Sequence, residues 1–153
     1  MSLFPETARL RAIALFIAAT LLSHPVAAST SNSTSSDNGS AIEWQSFGPA
    51  AFEQARRENK LVLLDLVAVW CHWCHVMEAK TYSDPDVVAY IEEHFVPVQA
   101  DHDARPDLAE RYRKWGWPAT VVLDASGTDV VKRAGYIAPE PMLRLMAAVR
   151  ADP

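Results

Sequence analysis

A long apolar segment and an excess of positive charge are both missing from this sequence of 153 residues. The apolar run near its start, residues 12–22, is well short of the ~20 residues that a membrane-spanning helix needs. Lys and Arg total 14 against 19 Asp and Glu, which gives a net charge of −5 at pH 7. Because nucleic-acid binding depends on clustered basic side chains, we expect no nucleic-acid partner.

Cysteine is also scarce, since the chain contains only Cys71 and Cys74, three positions apart. A structural disulfide is most stabilising when it closes a longer loop. The close spacing therefore indicates chemistry rather than a structural bridge. The length accommodates one compact domain, and the sequence has no internal repeat.

The N-terminal region has the composition of a secretory signal. Arg9 and Arg11 precede the apolar run, and small residues lead up to Ala28. This arrangement predicts a signal peptide over residues 1–28, cleaved near Ala28, and hence a periplasmic or otherwise exported protein. Retention of the segment as an uncleaved anchor is the alternative.

The rest of the chain divides into a linker and a domain. Residues 29–40 contain no apolar side chain and predict a flexible Ser/Thr/Asn-rich linker, followed by a folded domain at 41–153. We predict strands at 42–47, 61–67, 96–100, 119–123 and 130–134, and helices at 49–59, after the cysteine motif, from 84 to 95, at 106–114 and from 139 onward. This order indicates an α/β domain whose parallel strands are followed by a closing hairpin.

The two cysteines belong to the run Trp-Cys-His-Trp-Cys-His at residues 70–75. A buried strand that leads into Cys-x-x-Cys and then a helix places the first sulfur at a helix N-terminus, where backbone N–H groups stabilise a thiolate. The thiolate is the species that attacks a disulfide. We therefore predict that Cys71 is the exposed nucleophile and that Cys74 is the more buried, resolving cysteine.

Supporting roles are predicted for the other side chains of the run. His72 lies between the cysteines and, if protonated, would favour the thiolate and make the disulfide more oxidising. A solvent-facing imidazole with little effect is the alternative. Trp70 and Trp73 are predicted to form an apolar rim at which a partner docks.

Asp65 stands in the middle of the apolar run 61–67. A buried carboxylate is unfavourable unless it has a partner or a task. Accepting the proton of the resolving thiol of Cys74 would be such a task, and we predict that role for Asp65. A carboxylate with an ordinary hydrogen-bond partner is the alternative.

Residues 65–74 resemble the strand and active site of the thioredoxin superfamily, with the aspartate six positions before the first cysteine. Gly116-Trp117-Pro118 resembles the segment that carries the cis-proline of that fold, and Gly135 falls where the family has a glycine in its last strand. The resemblance implies a mixed central sheet flanked by helices. It also implies a cis Trp117–Pro118 bond before the third main strand, where Trp117 and Pro118 support the active site.

A closer resemblance is to the DsbH-type thioredoxin-like family, formerly a domain of unknown function. It is carried by residues 58–60, 71–78, 101–107 and 116–118. It implies an exported thiol–disulfide oxidoreductase that acts on cysteine-containing exported proteins. The glycine-proline pair usual between thioredoxin cysteines is replaced here by His-Trp, which leaves the redox potential open.

The direction of electron flow is the least determined property. Residues 42–151 are taken up by the bare fold, without the helical insertion usual in periplasmic oxidases of this class. We therefore expect a compact, monomeric reductase, which implies a membrane electron donor that re-reduces the dithiol. His72 favours the alternative, a thiol oxidase of the same fold.

Three other kinds of protein fit the same residues. The run 71–75 matches the C-x-x-C-H motif for haem attachment, with His75 as axial ligand, although a small cytochrome does not need the buried strand before the motif. The two cysteines with His75 and His102 could bind a metal ion, although His102 is expected in a solvated loop. A non-catalytic binding module is the third alternative. We predict no metal and no cofactor.

Overall fold

The structure is a computed structural model that describes residues 42–153. The predicted signal peptide (1–28) and linker (29–40) lie outside the described residues, so both stay predictions. The strands are β1 (Gln45–Ser46), β2 (Leu61–Val67), β3 (Phe95–Asp101), β4 (Ala119–Leu123) and β5 (Asp129–Ala134). The helices are α1 (Pro49–Glu58), α2 (His72–Lys80), α3 (Pro85–His94), α4 (Pro106–Tyr112) and α5 (Pro139–Ala151), with a 3-10 turn at Arg113–Trp115.

One five-stranded sheet, in the order β1-β3-β2-β4-β5, forms the middle of the domain. The strands β1, β3 and β2 are parallel, whereas β4 is antiparallel to both β2 and β5. The predicted mixed sheet, with parallel strands and a closing hairpin, is therefore confirmed. The prediction for β1 was too long, because Gln45 and Ser46 are the residues that pair with β3 and Pro49 already begins a helix.

The central strand β2 is buried on both faces of the sheet. Its even-numbered side chains pack towards α1 and α4, in a core of Val62, Leu64 and Leu66 with Ala51, Ala55, Leu108 and Tyr112. Its odd-numbered side chains pack towards α2, α3 and α5, in a core of Leu61 and Leu63 with Met77, Tyr82, Val87, Ile91, Met142 and Met146. Because both faces of β2 are buried, nearly all side chains of residues 61–67 are apolar.

Helix starts follow the sequence closely. Proline occupies the first turn of four helices, at Pro49, Pro85, Pro106 and Pro139, where its missing N–H is not needed. The predicted helix 106–114 ends earlier, at Tyr112, and continues as a 3-10 turn. Leu108, Ala109 and Tyr112 of this helix are buried. Within residues 42–153, no helix combines the length and the apolar character needed to cross a membrane.

Candidate functional site

Cys71 and Cys74 form a disulfide at the start of α2. The chain leaves β2, turns through a hydrogen bond from the Cys71 N–H to the Ala68 carbonyl (2.9 Å), and enters the helix at His72. Cys71 is the N-cap, and its sulfur accepts a hydrogen bond from the backbone N–H of Cys74 at 3.2 Å. The same N–H and the helix dipole would stabilise a thiolate on Cys71 in the reduced protein.

The predicted difference in exposure between the cysteines is not found in this disulfide form. Cys71 is 5% exposed and Cys74 is 6% exposed. Both pack in one small cluster with Ala68, and the ring of Trp117 covers that cluster. The assignment of Cys71 as the nucleophile therefore rests on its position as the helix cap and not on greater exposure.

Exposed apolar side chains flank the cysteines in the sequence, and the predicted docking role of Trp70 and Trp73 stays a prediction. Among residues 42–153, the exposed large hydrophobic side chains are Val69 (73%), Trp70 (63%) and Trp73 (54%). The Trp73 ring lies 5.7 Å from the ring of Tyr136. Exposed large apolar side chains that lie close together often mark an interaction surface.

His102 lies in the turn after β3, with its side chain 34% exposed, as expected for a loop, and it contacts the tryptophans of this surface. Its ring centroid lies 4.6 Å from that of Trp117 and 5.7 Å from that of Trp70. Its Nδ1 lies 2.8 Å from a carboxylate oxygen of Asp103. The position of His102 just after β3 could have indicated that it lies near the cysteine motif. The parallel neighbours β3 and β2 end at the same edge of the sheet, and the motif follows β2.

The side chains of His75 and His72 contact different residues. The Nε2 of His75 lies 3.1 Å from the Val69 carbonyl oxygen, whereas the exposed ring of His72 makes an edge contact with Trp73. In the described part of the chain, no three or more His, Cys, Asp or Glu side chains are arranged to hold a metal ion.

Asp65 is buried in β2, on the sheet face towards α2. It is 2% exposed, and its Oδ2 accepts a hydrogen bond from Gln99 Nε2 at 3.2 Å. Burial raises the pKa of Asp65 to about 7 and the negative charge of Glu78 acts in the same direction, whereas the Gln99 side chain and the nearby Tyr82 hydroxyl oppose the rise. A carboxylate with a pKa near neutrality can both accept and return a proton under ordinary conditions.

A cavity of about 560 Å³ lies beside the disulfide on the Asp65 side of α2. Its lining includes Cys74, Glu78, Gln99 and Asp101. The resolving cysteine and the hydrogen-bond donor of Asp65 thus share one solvent-accessible space. Asp65 itself does not line this space.

The Trp117–Pro118 peptide bond is cis, as the thioredoxin resemblance implies. Pro118 is buried, and its carbonyl accepts a hydrogen bond from the N–H of Gly135 at 2.8 Å. Gly135 lies just beyond the end of β5 rather than within the last strand. Its φ of 78° is a left-handed conformation that favours glycine.

Comparison with known families places nearly the whole domain in one group. The family profile described as "Thioredox_DsbH: Protein of unknown function, DUF255" matches residues 24–150. A solved thioredoxin from Thermus thermophilus superposes with a TM-score of 0.63 and 26% identity, over 70% of this chain and 85% of that one. The thioredoxin fold implied by the sequence resemblance is therefore confirmed.

Curated relatives are much longer proteins. Human spermatogenesis-associated protein 20 is 34% identical over 90 residues, which cover 54% of this chain and 12% of the human protein. The thiol:disulfide interchange protein DsbD 2 of Pseudomonas aeruginosa is 33% identical over 78 residues, 49% of this chain and 13% of that protein. The matched regions thus span about an eighth of either relative.

Proposed function

The chain belongs to the DsbH-type thioredoxin family, and we propose that it is an exported reductase of protein disulfides that works through Cys71 and Cys74. Its general class, a thioredoxin-like disulfide oxidoreductase, follows from the family and the fold. The observation that carries the proposal is the Cys71–Cys74 disulfide at the N-terminus of α2, preceded by the strand β2 that contains the buried carboxylate of Asp65.

The reaction begins with the reduced protein. The Cys71 thiolate attacks one sulfur of a substrate disulfide, which forms a mixed disulfide and releases the other substrate sulfur as a thiolate that takes up a proton. The Cys74 thiol then loses its proton to Asp65, and its sulfur attacks Cys71. This step forms the Cys71–Cys74 disulfide and releases the second substrate thiol, so that two electrons have passed to the substrate.

Asp65 suits the second step because its pKa of about 7 lies near the working pH. An ionised carboxylate takes the proton of Cys74, and Cys74 and Gln99, the hydrogen-bond donor of Asp65, both line the cavity beside the disulfide. Two electrons from an external donor must then restore the dithiol. For an exported protein we infer a membrane protein in that role, and cysteine-containing exported proteins as substrates.

Three further observations support separate parts of the proposal. The structure between β1 and α5 contains five strands and five helices of the bare fold with no inserted helical domain. The match to a protein named for thiol:disulfide interchange supports exchange with other proteins as the task. The signal-like segment at residues 1–28 supports export.

Insulin reduction tests the proposal. With dithiothreitol as electron source, we expect the protein to accelerate precipitation of the insulin B chain well beyond dithiothreitol alone, because Cys71 is a better-activated thiolate. Parallel incubation with a reduced, unfolded substrate tests the opposite direction. Faster oxidation of that substrate together with no reduction of insulin would overturn the reductase assignment in favour of an oxidase.

A further inference from the structure

Among residues 42–153, three side-chain oxygens near the redox site are buried and have no partner at ordinary hydrogen-bond geometry in the disulfide form. They are Oδ1 of Asp65, the hydroxyl of Tyr82 and Oγ1 of Thr120. The three residues are 2%, 1% and 1% exposed. Buried polar atoms usually have a partner, so three without one at a single place require an explanation.

The three residues lie on different elements and face the same side of the sheet. Asp65 of β2 lies directly opposite Thr120 of β4 in the antiparallel register. Tyr82, which follows α2, packs into the core on the same face of the sheet. Its pKa is raised well above the ordinary value, first by burial and then by the negative charge of Asp65, and the Thr120 hydroxyl opposes that rise. Tyr82 is thus within electrostatic reach of both partners.

The groups that face Asp65 supply no positive charge. Gln99 of β3 donates to Oδ2, Thr120 of β4 and Tyr82 face it with neutral hydroxyls, and Glu78 of α2 adds a second negative charge. An ionised Asp65 must therefore be stabilised by neutral hydrogen-bond donors alone. Gln99 satisfies one carboxylate oxygen, and Oδ1 still needs a donor.

We propose that Tyr82 is a positioning residue for the resolving step: its hydroxyl donates a hydrogen bond to Oδ1 of ionised Asp65 and holds the carboxylate ready for the proton of Cys74. Thr120 completes the chain by donating to the Tyr82 oxygen. The proton moves from Cys74 to Asp65, while Tyr82 and Thr120 keep their own protons throughout. The inference rests on the proposed function, in which Asp65 is the proton acceptor.

Replacing Tyr82 by phenylalanine tests this role through the titration of Asp65. Carbon-13 NMR of aspartate-labelled protein should show the Asp65 midpoint in the reduced form rise by about one pH unit, because a hydrogen bond to a charged group has been lost. The pH profile of the resolving step should move upward with it, while the first attack by Cys71 keeps its pH profile. Thr120→Val should give a smaller rise in the same direction.

Tyr112→Phe is the matched control. It removes another buried tyrosine hydroxyl, one that donates to Asp129 at 2.6 Å and does not face Asp65, so the Asp65 midpoint should not change. An unchanged midpoint in folded Tyr82→Phe overturns the proposal, and if that variant does not fold, an unchanged midpoint in Thr120→Val does so. Because the titration needs no turnover, a protein without exchange activity would refute the proposed function and leave the Tyr82 result readable.

Discussion

Replacing Cys71 by serine abolishes disulfide exchange, whereas replacing Cys74 by serine leaves a protein that attacks once and stays joined to its substrate. The reason is that Cys71 caps α2 and receives the Cys74 N–H at 3.2 Å, which favours its thiolate. Serine is a poor nucleophile for disulfides, so we expect a loss of at least about a thousandfold in insulin reduction for Cys71→Ser.

Non-reducing gel electrophoresis distinguishes the two cysteines. The Cys74→Ser protein, mixed with a disulfide-bonded substrate, should give a covalent adduct that dithiothreitol cleaves. The variant with both Cys71→Ser and Cys74→Ser should give no adduct. The exposure of Cys71 and Cys74 is nearly equal, 5% and 6%, so exposure does not indicate which of them attacks the substrate. An adduct that forms with Cys71→Ser and not with Cys74→Ser would reverse the assignment of nucleophile and resolving cysteine.

Replacing Asp65 by asparagine makes the disulfide form more stable at pH 8. Burial raises the pKa of Asp65 from 3.8 to about 7, so the folded protein binds this proton more tightly than the unfolded chain. The resulting stabilisation is fully present below about pH 4 and is lost as the pH rises through about 7. The asparagine variant avoids that loss, and we expect its free energy of unfolding to exceed that of the natural protein by on the order of 2–4 kcal/mol at pH 8.

Urea unfolding at several pH values measures this gain. The difference between Asp65→Asn and the natural protein should grow from pH 4 to pH 7 and then level off. Asp152→Asn makes the same change at an exposed residue next to α5 and should alter stability little at any of these pH values. In the Asp65→Asn protein, the resolving step should also be slower by about a hundredfold or more, because the proton acceptor has been removed. A stability difference that is independent of pH would show that Asp65 is already ionised in the folded state.

Local patterns in the sequence were sufficient to predict the frame of the domain. The apolar run 61–67 predicted a strand covered on both faces, and it is the central strand β2. Proline positions located four helix starts. The burial of Asp65 followed from its place inside the run, because a strand buried on both faces leaves no position for an exposed side chain. These features depend on neighbours along the chain.

The surroundings of Asp65 could not be predicted in the same way. Gln99 lies on β3, Thr120 lies on β4, and Tyr82 follows α2. The register of the strands brings these residues together around Asp65. A polar residue within an apolar pattern carries no mark of which distant residue it will face. The contacts of His102 with Trp117 and Trp70 could not be predicted for a similar reason, since they join residues that are distant in the sequence.

The reduction potential of the Cys71–Cys74 couple tests the central claim most directly. The dithiol and the disulfide can be equilibrated with glutathione or dithiothreitol buffers and read by the fluorescence of the tryptophans beside the disulfide, Trp70, Trp73 and Trp117. A protein that reduces other disulfides should have a potential of about −200 mV or lower, in the range of glutaredoxins and thioredoxins. A value near about −120 mV, at the strongly oxidising end, would contradict the account and identify an oxidase.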